Sequence, residues 1–317
     1  MTLISAEPRS KSAPGPGPTP EALLRAIDLS VGRRVHGLVP GDFRAHGRGS
    51  GTELAAVRPY QPGDDIRLID WNATARTTLP HVRERVPERA IVTWLLLDQS
   101  PSMTFGTADR RKADVAEGVA LAVAHVSTRR ANRLGIATFG GAHELRTSPR
   151  GGRQGLLLAL RSARMGELQP SATDKTESAA GHLPSAAAAL SFLANARVRS
   201  GIVAVVSDFR GPRDWLPALA AAARRHDVVA IEIRDPREDD LVDVGELTLV
   251  DGETGREVRV DTSSGKLRTR FAEAARQERA SLAADFAKAQ ARHIVLSTSG
   301  DWLRSLVSQL RFIGAVQ

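Results

Sequence analysis

Seven consecutive residues, Ile91-Val92-Thr93-Trp94-Leu95-Leu96-Leu97, run without apolar–polar alternation into Asp98. This run constrains the fold more than any other stretch. A half-exposed strand alternates; an uninterrupted apolar strand has both faces covered, as in parallel sheets sandwiched between helices. Shorter apolar runs follow at 134–139, 202–206, 228–233 and 294–296. Between them lie helical patterns: 111–129, where Val115, Val119, Val123 and Val126 share a face, then 156–165, 185–196 and 215–225. A long helix is expected over 266–290, with Phe271, Ala275, Leu282 and Phe286 inward, and a last one over 302–312. Residues 144–146 read as a short edge strand, and 245–260 as a hairpin turning at Asp251-Gly252. The alternation predicts an α/β fold with a doubly wound, mainly parallel sheet and helices on both faces. Ligands of such sheets gather outside the carboxyl ends of the strands, and Asp98 and Asp208 stand at two of those ends.

This sheet domain is expected to occupy residues 90–317. Residues 1–20 form a Pro/Gly/Ser-rich tail with too little apolar surface to order itself. Residues 21–89 carry a short helix, with Leu23, Leu24 and Ile27 at helical spacing, then a glycine-rich loop over 32–51 and a charged segment. That segment, Arg58-Pro59-Tyr60-Gln61-Pro62-Gly63-Asp64-Asp65-Ile66-Arg67-Leu68-Ile69-Asp70-Trp71, interleaves carboxylates with guanidiniums, and Arg76 lies just beyond. Asp64, Asp65 and Asp70 could form an acidic catalytic or metal cluster. The matching number of nearby arginines favours bidentate pairs that clamp the segment onto the sheet domain. In that case Asp65→Ala breaks a buried pair at a cost of ~3–5 kcal/mol.

The chemistry-bearing motif is Asp98-Gln99-Ser100-Pro101-Ser102, directly after the first core strand. One carboxylate and two hydroxyls spaced two apart on a tight loop can aim their oxygens at one point. Mg²⁺ suits such a set, since it takes octahedral oxygen ligands at ~2.1 Å and keeps several waters. Asp208 could add a second negative charge there. The competing reading is helix capping, because Ser, Thr and Asp before a helix satisfy its first N–H groups.

Other chemistries find little support. Ser264-Gly265-Lys266 lacks the upstream glycine of a phosphate-binding loop, no GxSxG elbow surrounds Ser50 or Ser102, and His125, His143 and His226 show no HExxH pairing. The chain has no cysteine, which excludes thiolate ligands and nucleophiles and fits a cytoplasmic location. No apolar run reaches the ~18–20 residues of a membrane span. The net charge of +8 would suit nucleic acid, but the basic residues are scattered and aromatics are 4%. Nucleic-acid binding therefore stays an alternative, as does metal-assisted hydrolysis, for which no general base is evident.

The block RPYQPGDDIRLIDWNATAR, the strand entering DQSPSM and the later VVSDFRGP resemble the domain of unknown function 58 family from about Glu21 to the C-terminus. The resemblance implies a von Willebrand factor A-like domain whose metal-ion-dependent adhesion site matches Asp98, Ser100, Ser102 and Asp208. It further implies a non-enzymatic role beside a MoxR-type AAA+ ATPase, in maturing or remodelling client proteins. The family fold completes its site with a threonine, where this chain has Gly181-His182, with Thr173 and Thr176 out of register. Mg²⁺ is accordingly expected to bind weakly without a partner.

Overall fold

The computed structural model describes residues 3–4, 53–86, 91–128, 132–142, 145–165, 185–195, 198–251 and 256–314. The chain divides into two compact units, one of Met1–Leu38 with Ile91–Gln317 and one of Val39–Ala90.

In the larger unit five parallel strands form the central sheet. They are β4 (Val92–Asp98), β5 (Arg133–Phe139), β6 (Ile202–Ser207), β7 (Asp227–Arg234) and β10 (Arg292–Ser297), in the order β10-β7-β6-β4-β5. This is the predicted doubly wound α/β sheet, and successive residues of its apolar runs serve opposite faces. Leu95 and Leu97 join Ala204 and Val206 on one side; Trp94 and Leu96 join Val203 and Val205 on the other.

The first side is covered by α2 (Lys112–Ser127), α3 (Gly152–Met165) and α7 (Trp302–Gly314), which contribute Val115, Val119, Ala159, Trp302 and Leu306. The second is covered by α4 (Ala186–Ser191), α5 (Leu216–Ala223) and α6 (Gly265–Lys288), through Leu190, Leu219, Leu282 and Phe286. Each layer buries one stripe of its helices against the sheet, which supplies the main driving force for this architecture.

Several sequence expectations are corrected. Leu3–Ile4, assigned to an unordered tail, forms a two-residue strand (β1) antiparallel to β8 (Glu246–Asp251), which pairs on its other edge with β9 (Glu257–Asp261). An edge strand offers unpaired backbone groups, and a short apolar dipeptide suffices to take them. Of the strand expected at 144–146, residue 144 lies outside the described residues and Arg146 forms an isolated antiparallel bridge with Ala137; a second bridge joins Arg150 to Leu134, and together they shield the β5 edge. Of the four α6 residues expected inward, only Leu282 and Phe286 are buried. The expected helix at 21–29, the glycine-rich loop over 32–51 and the hairpin turn at Gly252 lie outside the described residues. No helix among the described residues is long and apolar enough to cross a membrane.

In the smaller unit β2 (Glu53–Pro59) pairs antiparallel with β3 (His81–Val86), and α1 (Trp71–Thr77) lies between them in sequence. The three aspartates of its charged segment act locally. Arg58 donates two 2.7 Å bonds to Asp64, whose carboxylate also accepts from the Gln61 amide. Asp70 caps α1 through the Asn72 and Ala73 amides and receives Arg83 Nε at 2.9 Å; that hydrogen bond, with the Ala73 amide next, lowers its pKa. Asp65 caps the turn Ile66–Leu68 through the Arg67 amide at 2.9 Å and is exposed. The arginine pairs thus exist within the smaller unit, Asp64 with Arg58 inside the segment and Asp70 with Arg83 of β3. Asp65 makes no ion pair among the described residues, so an exposed cap, worth about 1 kcal/mol, replaces the buried pair expected there.

Candidate functional site

The chain leaves β4, runs to β5 on one side, and returns to β6 on the other. Between β4 and β6 the winding direction reverses, and the crevice at such a point is where open α/β sheets bind ligands. Asp98 ends β4, and Ser207 ends β6 with Asp208 immediately after it.

Two local devices shape the Asp98 loop. The Ser100 amide donates to Asp98 Oδ1 at 2.8 Å, and the Gln99 amide donates to the Phe139 carbonyl at 2.8 Å, extending the β4–β5 ladder. Gly140, just past β5, has φ +76°, and a Cβ there would lie 2.7 Å from Asp98 Oδ1 and 2.9 Å from the Ser100 nitrogen. Only glycine lets the β5 end pass this close in that conformation. The turn Pro101–Thr104 then brings the buried Ser102 back, its hydroxyl 3.0 Å from that of Ser100.

On the opposite side Ser207 Oγ donates to Asp98 Oδ2 at 2.5 Å and accepts the Phe209 amide at 2.8 Å. Phe209 holds φ +51°, an unusual state for a non-glycine residue, and is fixed by ring contacts with Phe286 at 4.8 Å and Trp215 at 5.3 Å. Aromatic packing under the sheet thereby sets the turn that presents Asp208.

Asp208 accepts the Arg210 amide at 3.1 Å on Oδ1 and the Lys112 ammonium at 2.6 Å on Oδ2. The same ammonium donates to Glu238 Oε1 at 2.6 Å, and Arg210 lies 3.5 Å from Glu238 Oε2. Lys112 is fully buried, and Asp208 and Glu238 nearly so. Burial by itself would raise the Asp208 pKa, but the Lys112 charge and hydrogen bond, with the Ser102 hydroxyl next, hold it below the usual carboxylate range. Asp98 is the reverse case. Burial first, and then repulsion from Asp208, push it up to about 7 against the lowering effect of the serine hydrogen bonds. No lysine, arginine or histidine pairs with Asp98 among the described residues.

Asp98, Ser100, Ser102 and Asp208 therefore converge. Capping does not explain them. Ser100 makes no side-chain cap bond, and the Thr104 hydroxyl closes its own turn by donating to the Pro101 carbonyl at 2.7 Å. The helix that follows, α2, opens only at Lys112, where Asp114 accepts the Arg111 amide at 2.7 Å. Asp208 likewise turns onto the Arg210 amide and leaves the start of α5, at Leu216, uncapped by its side chain. A cleft beside the loop is lined by Asp98, Gln99, Ser100, Met103, Thr104 and Glu117.

The donor chemistry fits a hard divalent cation at Asp98. A carboxylate and two hydroxyls are oxygen ligands of the kind Mg²⁺ takes, and an ion there would supply the positive charge that Asp98 lacks. Asp208 fits less directly, since its Oδ2 is taken by the Lys112 ammonium, whereas the oxygens of Asp98 accept only from neutral amide and hydroxyl donors. The missing threonine position at Gly181-His182, with Thr173 and Thr176, lies outside the described residues. Sequence reasoning missed Lys112, Glu238, Ser207 and Gly140. Lys112 left one faint signal: a cation in the first turn of a helix opposes the helix dipole and needs a local reason to be there.

A model of the family described as "Protein of unknown function DUF58" matches residues 56–281. Uncharacterized protein Rv1480 of Mycobacterium tuberculosis H37Rv and uncharacterized protein Mb1516 of Mycobacterium bovis are each 38% identical over 296 residues, 93% of this chain and 89% of theirs. Among solved structures, BatB from Bacteroides thetaiotaomicron aligns at TM-score 0.40 and 14% identity, covering 72% of this chain and all of that one. The SpRpn10 VWA domain aligns at TM-score 0.36 and 13% identity, covering 69% and 95%.

Proposed function

Since this chain belongs to the DUF58 family, whose function is unknown, we propose a role from its site: a non-enzymatic adaptor that binds partner proteins through a divalent cation. Asp98, Ser100 and Ser102 would hold the ion, with Asp208 behind Ser102. The observation that carries this reading is the lone charge of Asp98, which has no cationic partner among the described residues while Asp208 beside it has one. An ion held by one carboxylate and two hydroxyls keeps positions for water, and a partner carboxylate can take one of them. Metal and partner then raise each other's affinity by the same factor.

The partner in this reading is a MoxR-type AAA+ ATPase of the cytoplasm together with its clients, supported by the resemblance of the GDDIRLIDW and DQSPSM blocks to the family. Pull-down with the cognate ATPase, with and without Mg²⁺, tests it. Binding is expected to need Mg²⁺ and to be lost in Asp98→Ala; binding indifferent to EDTA and to Asp98→Ala would sink the reading.

Metal-assisted hydrolysis at Asp98 is the competing reading. Turnover of a generic phosphoester that disappears in Asp98→Ala would support it over the adaptor.

A further inference from the structure

The Lys112 ammonium is a buried charge of the site to which the adaptor reading gives no role. It sits 2.6 Å from Asp208 Oδ2 and 2.6 Å from Glu238 Oε1, with the Phe105 ring centroid at 5.6 Å. Its backbone amide donates to the Phe105 carbonyl at 2.8 Å, and none of the residue is exposed. A buried charge stripped of its partners is costly, so the two carboxylates and the ammonium hold together as a unit.

A divalent ion using Asp208 Oδ2 at ~2.1 Å would have to share that oxygen with the ammonium. Two cations on one oxygen repel strongly in a buried site. We propose that Lys112 is a resident cation that keeps Asp208 out of the ion's inner coordination shell and so limits how tightly the isolated protein holds metal. This rests on the reading that a divalent ion binds at Asp98. Asp98 is then the sole anionic ligand, the bound ion keeps net positive charge, and an incoming carboxylate is favoured over water. Lys112 in this account tunes the site for a partner and touches neither metal nor partner itself.

Removing the ammonium should return Asp208 to the ion. The test is Mn²⁺ titration of the full chain by calorimetry or electron paramagnetic resonance, for the parent protein, Lys112→Met, Asp208→Asn and the double variant. Lys112→Met is expected to bind Mn²⁺ about tenfold tighter or more, because affinity follows the number of charged ligands. Asp208→Asn alone should change affinity by less than about threefold, and in the Lys112→Met background it should erase the gain. If Lys112→Met does not fold without metal, Lys112→Gln takes its place, and Mn²⁺ should raise the Tm of that variant more than that of the parent.

Asp98-dependent Mn²⁺ binding in the parent with no gain in either lysine variant overturns the inference and leaves the metal reading standing. Binding only in the lysine variants supports the inference and removes the metal from the native protein. Binding in none of them overturns both.

Discussion

Asp98 and Asp208 are the same residue type at the ends of adjacent strands, yet their protons behave oppositely. The difference is the Lys112 charge, which reaches Asp208 and leaves Asp98 with hydroxyl and amide donors. Gly140 decides whether those donors can be placed at all. In Gly140→Ala the methyl group would press on Asp98 Oδ1 and the Ser100 amide, and the left-handed backbone would cost ~1–2 kcal/mol by itself. Its expected outcome is a folded, destabilised protein whose divalent-ion affinity falls, seen by thermal unfolding and Mn²⁺ titration together. Unchanged affinity would show that the loop does not need this close approach.

At the level of elements, the contact between α2 and α7 is set by a missing side chain. A Cβ on Gly118 would lie 2.3 Å from the Trp302 ring, and Trp302 is buried in the same core cluster as Val115 and Val119. In a solvent-facing helix Gly→Ala gains about 1 kcal/mol of helix propensity. Here overpacking costs ~1–3 kcal/mol and reverses the sign. Gly118→Ala should therefore lower the urea midpoint, and a raised midpoint would mean that the two helices can part without loss. Gly135, in β5, makes the corresponding allowance for the Trp94 ring on the opposite face of the sheet.

Across the sheet domain, carboxylates other than Asp98 and Asp208 also contribute to acid stability. Burial pushes Asp235 up, but the Thr107 hydroxyl and amide, the Thr298 hydroxyl and the Arg237 amide outweigh it, and the net pKa is lowered. Glu232 is lowered in the same way, burial being outweighed by His293 and Arg234. A depressed carboxyl contributes stability that is complete above its unfolded pKa of about 4 and is lost as pH falls through the folded value. The protein should lose stability below about pH 4, and Asp235→Asn should be less stable than the parent at neutral pH, the gap narrowing in acid. Parallel urea curves at several pH values check this; a gap independent of pH would contradict it.

The apolar runs and their spacing determined the sheet, its parallel sense and the strand-end positions of Asp98 and Asp208, because burial on two faces and helical crossovers are written in local pattern. The pairing of Asp64 with Arg58 was legible from composition within the segment, whereas the partner of Asp70, Arg83 on β3, and the exposure of Asp65 were not, since single positions on a turn carry no periodicity. Leu3–Ile4 on β8 was hidden for a similar reason: two residues show no pattern. Tertiary structure alone decided the charge state of the site. Lys112 is 96 residues from Asp208 and 126 from Glu238, and only folding brings them within 2.6 Å. Local sequence sets which groups a strand end presents; the neighbours that neutralise them come from elsewhere in the chain, and electrostatic interactions follow distance in space.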